Sequence, residues 1–102
     1  MDKFLEEGSR QYLKGNINKA IDCFLKVLEL DPNNVKALFY LSIAYMDTSN
    51  YEKALNVLDK LLEIDSKHVQ AYKNRALVKY SMNKEKEAME DYKIYTKLAN
   101  GK

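Results

Sequence analysis

A single cysteine, Cys23, stands in this chain of 102 residues, so no internal disulfide forms, and a reduced, cytoplasmic setting is the simplest expectation. One proline and three glycines are too few for a collagen-like or disordered chain. No apolar run is long enough to span a bilayer. The opening Met1-Asp2-Lys3-Phe4-Leu5-Glu6-Glu7 has no apolar stretch of the secretory kind, and no membrane partner is expected. Neither sign of charge dominates: 17 Lys and Arg face 15 Asp and Glu. The strong basic field of a nucleic-acid binder is therefore missing, and nucleic acid is disfavoured as a partner. Catalytic equipment is equally sparse. Gly8, Gly15 and Gly101 form no phosphate-cradling loop, and Cys23 and His68 are the only residues of their types. No nucleophile with its base, no metal set and no cofactor is expected, so the chain reads as non-enzymatic. What remains is 46% hydrophobic and 31% charged, the balance of a folded, helix-rich protein.

The length is three times 34, and shifting the chain over itself by 34 residues tests that division. Small residues recur as Gly8, Ser42 and Ala76, and again as Ala20, Ala54 and Ala88. Two helices approach closely only where side chains are small, so both series predict the crossing inside a helical hairpin. Large residues recur around them: Ile21, Leu55 and Met89; Phe24, Leu58 and Tyr92; Val27, Leu61 and Tyr95; Leu30, Ile64 and Leu98. Their spacing of three and four puts them on one helical stripe.

The breaks recur as well. Gly15-Asn16, Ser49-Asn50 and Asn83-Lys84 fall at the same place, where a left-handed residue followed by a polar cap reverses the chain. Lys84 is a poor cap, which makes the third turn the weakest. Asp31-Pro32-Asn33-Asn34 and Asp65-Ser66-Lys67-His68 separate the units. Six helices follow, over about 2–14, 18–30, 35–48, 52–64, 69–82 and 86–99, in a single domain of repeats 1–34, 35–68 and 69–102.

Ala20-x3-Phe24 followed by Leu28-Glu29-Leu30-Asp31-Pro32-Asn33-Asn34 resembles the tetratricopeptide repeat (TPR) motif. Ala54-x3-Leu58 with Leu62-Glu63-Ile64-Asp65 repeats it, and Ala88-x3-Tyr92 keeps the small and large positions without the terminal Asp-Pro. The resemblance implies an all-α fold, a right-handed superhelical stack of three antiparallel hairpins. It also implies a protein-interaction scaffold whose first helices line a concave groove.

On that resemblance the groove face holds Asp2, Leu5, Glu6, Ser9, Tyr12 and Leu13, then Lys36, Phe39, Tyr40, Ile43, Met46 and Asp47, then Gln70, Lys73, Asn74, Leu77, Tyr80 and Ser81. The peptide-binding residues expected are Leu5, Ser9, Tyr12, Phe39, Tyr40, Ile43, Met46, Asp47, Lys73, Asn74, Leu77 and Tyr80. Aromatic groups with Met as an adaptable filler suit the apolar face of a helix or an extended peptide. TPR domains that grip the C-terminal carboxylate of chaperone peptides carry Lys and Asn on the first helix, Asn on the third, and Lys and Arg on the fifth. Here the matching places hold Leu5 and Ser9, Tyr40, and Gln70 and Asn74, without positive charge. No carboxylate-clamp chaperone peptide is therefore expected.

The two ends differ. Lys3, Glu7, Arg10 and Lys14 make a charged stripe where later units have Ala37, Leu41, Ala44 and Thr48, and Ala71, Arg75, Val78 and Met82, so the first helix is expected to close the stack. At the other end Tyr92, Tyr95 and Thr96 only half polarise the last helix. Either their hydroxyls leave this face wet enough to stand alone, or it packs on a second copy or on a further segment, which makes them the candidates for self-association into a homodimer. Formal charge by unit runs −1, −1 and +4, the excess coming from Lys73, Arg75, Lys79, Lys84, Lys86, Lys93, Lys97 and Lys102, and it reads as a solvated face.

Overall fold

In the computed structural model, which describes residues 2–101 and the backbone alone of Asp2, the chain folds into six helices. They are α1 (Asp2–Leu13), α2 (Ile17–Leu30), α3 (Val35–Asp47), α4 (Tyr51–Ile64), α5 (Val69–Ser81) and α6 (Glu85–Ala99). Each boundary lies within about one residue of the helix read from periodicity. Neighbours pair as α1 with α2, α3 with α4, and α5 with α6, while α2 packs on α3 and α4 on α5. The odd-numbered helices also touch one another directly, α1 with α3 and α3 with α5, so they run side by side along one wall.

The small-residue series sits where the hairpins cross. Ala20, Ala54 and Ser42 are fully buried, and Gly8 is buried with them. A Cβ on Gly8 would lie 2.5 Å from Cε1 of Phe24, so this position admits hydrogen alone beside that ring. Phe24, Val27, Leu41, Leu58, Leu61 and Val78 fill the layers between hairpins, each almost wholly buried. Burial of a side chain of this size contributes about 1.5–3 kcal/mol, which is what holds the stack together.

All three hairpin turns use one device, and it is a backbone device. Gly15, Ser49 and Asn83 adopt positive φ, at 85°, 60° and 62°. The amide of Asn16 then donates to the Gln11 carbonyl at 2.9 Å and that of Gly15 to Tyr12 at 3.0 Å. The same pair recurs as Asn50 to Tyr45 with Ser49 to Met46, and as Lys84 to Lys79 with Asn83 to Tyr80. These are the paired closing bonds of a Schellman motif. Contrary to the sequence expectation, the side chains of Asn16 and Asn50 cap nothing at the starts of α2 and α4. Lys84 is thus no handicap, because the third turn needs only its amide.

Side-chain caps occur instead between hairpins. Asn34 Oδ1 accepts from the Ala37 amide at 2.9 Å. His68 Nδ1 accepts from the Ala71 amide at 3.1 Å, which puts its proton on Nε2.

Candidate functional site

The wall of α1, α3 and α5 carries the residues expected to bind, and the structure divides them between two places. Between α1 and α3 lies a hollow of about 250 Å³ lined by Ser9, Tyr12, Leu13, Phe24, Tyr40 and Ile43. Its floor is aromatic: the rings of Phe24 and Tyr40 stand 5.6 Å apart, and Phe39 follows at 6.2 Å from Tyr40. Leu38 and Leu41 supply the inward face of α3, which leaves Phe39, Tyr40, Ile43 and Met46 half-buried at the wall. Leu13, whose place between core and groove was open, is exposed at the rim.

Immediately beside it, a wider hollow is bounded by Leu5, Glu6, Ser9, Arg10, Leu13, Lys36 and Tyr40. Arg10 shares its charge with Glu7 of the same helix, and Lys36 is exposed. An apolar hollow next to a mixed one bordered by Arg10 of α1, Lys36 of α3 and Glu6 can take an apolar side chain next to an acidic one that reaches the cations.

Tyr12 donates a hydrogen bond to Asp47, joining α1 to α3 across the wall. That bond, with burial and the Asp47 charge, holds the Tyr12 phenol above its usual range. These two candidates therefore begin as partners of each other.

Lys73, Leu77 and Tyr80 stand apart. They line a third hollow, of about 350 Å³, together with Ala76, Glu85, Ala88, Met89 and Tyr92, at the far end of the stack. Asn74 is half-buried on α5. Asp2 was also expected at the groove, but its side chain lies outside the described residues, as does Lys102 of the basic unit. Among the self-association candidates, the rings of Tyr92 and Tyr95 pair at 5.5 Å, and the Thr96 hydroxyl donates to the Lys93 carbonyl at 3.0 Å.

The basic last unit is less solvated than its charge suggests. Asp91, only 3% exposed, accepts from Arg75 Nε and Nη2 at 2.8 Å each, and Lys79 Nζ lies 2.9 Å from it. Arg75 reaches on to Asp59 of α4 at 3.0 Å and lies over the Tyr72 ring. Two of the eight cations are therefore internal. A signal for this was present in the repeat register, since Arg75 stands where the middle unit has Leu41 and Asp91 where it has Val57. Opposite charges that replace apolar residues in one unit are a sign that they meet.

Reactive groups are set to other uses. Burial, with the charges of Glu7 and Asp22, pushes the Cys23 thiol up, away from the reactive thiolate. His68 is engaged as a cap and stacks on Phe39 at 5.1 Å. Among the described residues no three His, Cys, Asp or Glu side chains gather as metal ligands, and no helix is long and apolar enough to cross a membrane.

Residues 10–90 match the family model described as Regulator of microtubule dynamics protein 1-3. The chain is 30% identical over 97 residues to Serine/threonine-protein phosphatase 5 of Homo sapiens, across 92% of this chain and 19% of the phosphatase. It thus spans about a fifth of that relative's length. Its fold is similar to the first TPR of Spaghetti (RPAP3) bound to HSP90 peptide SRMEEVD, with TM-score 0.92 and 23% identity over 97% of this chain and 79% of that one. It is also similar to the Sgt2 TPR domain from Aspergillus fumigatus, with TM-score 0.91 and 26% identity over 97% and 66%. The six helices are thus a TPR solenoid, a right-handed stack of antiparallel hairpins, as the motif implies.

One expectation is corrected by these structures. Neutral residues at Leu5, Ser9, Tyr40, Gln70 and Asn74 do not exclude a carboxylate-clamp chaperone peptide, because a domain of the same fold is bound to one. The physical reason is local. A side chain one position or one turn away can serve the same hollow, and Arg10, next to Ser9, and Lys36, one turn before Tyr40, border the one that Leu5, Ser9 and Tyr40 line.

Proposed function

Because the chain belongs to the Regulator of microtubule dynamics protein 1-3 family and folds as a TPR solenoid, we propose that it is a non-catalytic scaffold that docks a segment of a partner protein between α1 and α3. The observation that carries this is the aromatic-floored hollow lined by Tyr12, Phe24, Tyr40 and Ile43, with Arg10 and Lys36 beside it. The occupant it suits is a peptide that inserts an apolar side chain and turns an acidic one toward those cations. SRMEEVD, the peptide bound by the similar Spaghetti domain, has that alternation.

Leu5 and Ser9 shape the near lip, Phe39 and Met46 extend the apolar wall, and the Asp47 carboxylate sets the far limit for an acidic ligand. Lys73, Asn74, Leu77 and Tyr80 lie further along the wall and would meet only a longer segment. Truncation of an aromatic anchor at such a site costs about 2 kcal/mol, more than a tenfold loss of affinity. The three repeats, 1–34, 35–68 and 69–102, act as one binding domain, and a cytoplasmic setting suits the lone thiol of Cys23.

The test is an array of immobilised peptides that pair apolar with acidic residues, SRMEEVD included, probed with the labelled chain. Such peptides are expected to be retained, to be lost with Tyr40→Ala at unchanged helical content, and to become weaker with Lys36→Glu at low salt. Retention of no peptide, or retention indifferent to Tyr40→Ala, overturns the reading.

A further inference from the structure

Each hairpin end face within the stack is covered by the hairpin that follows. Ile21 and Phe24 on α2 are 8% and 1% exposed, and of their counterparts on α4 Leu58 is fully buried and Leu55 half-buried. The counterparts of Ile21 and Phe24 on α6, Met89 and Tyr92, are 57% and 48% exposed. With Leu77 and Tyr80 they line the third hollow, an almost wholly apolar surface that continues the interface α2 and α4 make with their neighbours.

Two charges border that hollow, Lys73 and Glu85. Lys73 lies near the start of α5 and beside Tyr95, whose ring centre is 5.8 Å away, late in α6. Glu85 opens α6. The helices of a hairpin run in opposite directions, so the cation and the anion stand at opposite ends of one apolar face.

A second copy can approach this face in two ways. Head to tail, it would offer its first hairpin, where Lys3, Glu7, Arg10 and Lys14 occupy the positions that α3 fills with Ala37, Leu41 and Ala44. Those charges would be desolvated against an apolar surface, so an open filament is disfavoured. Face to face about a two-fold axis, the arrangement is self-complementary. With α6 antiparallel to its copy, Met89 and Tyr92 meet near the axis, and Lys73 of each chain faces Glu85 of the other.

We propose that the α5/α6 end face is the contact of an isologous, antiparallel homodimer of this chain. It leaves the α1/α3 hollow open on both copies, so its failure would leave the peptide-docking reading intact.

Sedimentation of the 102-residue chain over a dilution series tests the contact. A dimer that dissociates on dilution is expected, and Tyr92→Glu should hold the chain monomeric while circular dichroism stays helical. Lys73→Glu and Glu85→Lys should each weaken the dimer by about tenfold or more, through like charges brought together, and the double variant should restore it. Both of these side chains are exposed, so the charge-reversal set keeps its force if Tyr92→Glu disturbs the fold. A chain that is monomeric at every concentration, an assembly that grows beyond two, or a dimer indifferent to the reversals overturns the proposal.

Discussion

Replacing Asp91 by alanine should damage this fold more than its place on the last helix suggests. The carboxylate receives three charge-assisted contacts of 2.8–2.9 Å, and the side chains that make them, Arg75 and Lys79, are themselves mostly buried. Its removal strands two cations away from water, with only Asp59 left to partner Arg75. Removing one member of a buried pair costs about 3–5 kcal/mol, and the surviving Asp59 contact favours the lower end. A loss of about 3 kcal/mol, at roughly 4–8 °C per kcal/mol for a domain of this size, would lower the melting temperature by about 12–24 °C. The repeat supplies the control. The middle unit holds Leu41, Tyr45 and Val57 where the last holds Arg75, Lys79 and Asp91. The triple variant Arg75→Leu, Lys79→Tyr, Asp91→Val should therefore recover most of the lost stability, because apolar packing replaces the ion network without stranding a charge. Urea and thermal unfolding followed by circular dichroism measure both. The reasoning fails if Asp91→Ala costs less than about 1 kcal/mol, or if the triple variant is no more stable than the single one.

The same carboxylate gives the fold a direction in pH. Burial by itself raises the Asp91 carboxyl, but hydrogen bonds from Arg75 and Lys79 outweigh it and hold the group below the ordinary carboxylate range. Its contribution is then complete above about pH 4, where the unfolded group ionises, and is lost as pH falls through the lower folded value. Urea midpoints measured on the acid side should drop more steeply for the wild type than for Asp91→Asn, and parallel curves would contradict this. His68 offers a second check: His68→Ala should cost about 1 kcal/mol through loss of the α5 cap, while His68→Asn, which copies Asn34, should keep it. Equal midpoints for the two variants would show that the cap contributes nothing.

Side chains that repeat in type were read well from the sequence. Gly8, Ala20, Ser42, Ala54, Ala76 and Ala88 are buried at the crossings because a 34-residue repeat imposes one packing geometry on every unit. The turns were placed correctly for an incomplete reason, since positive φ at Ser49 and Asn83 is visible as small or polar residues while the closing bonds belong to the backbone. Contacts that break the repeat were harder to see. Arg75, counted among the solvated cations of the last unit, pairs with an Asp91 that its sequence position alone does not single out, and the link from Tyr12 to Asp47 joins residues 35 apart on different hairpins. The wall was likewise read as one continuous groove. Periodicity assigns a residue to a face of its helix, but the division into a hollow at α1/α3 and another at α5/α6 depends on how neighbouring hairpins meet.

A solenoid keeps its curvature in the angles between successive hairpins, and those joints are its natural springs. The Tyr12–Asp47 link crosses the first joint on its inner side, like a tie-rod. With it in place, α1 and α3 are tied to each other beside the hollow they line. On the proposed docking function, a peptide entering there would meet a jaw braced in advance, and less of its binding energy would go into straightening the spring.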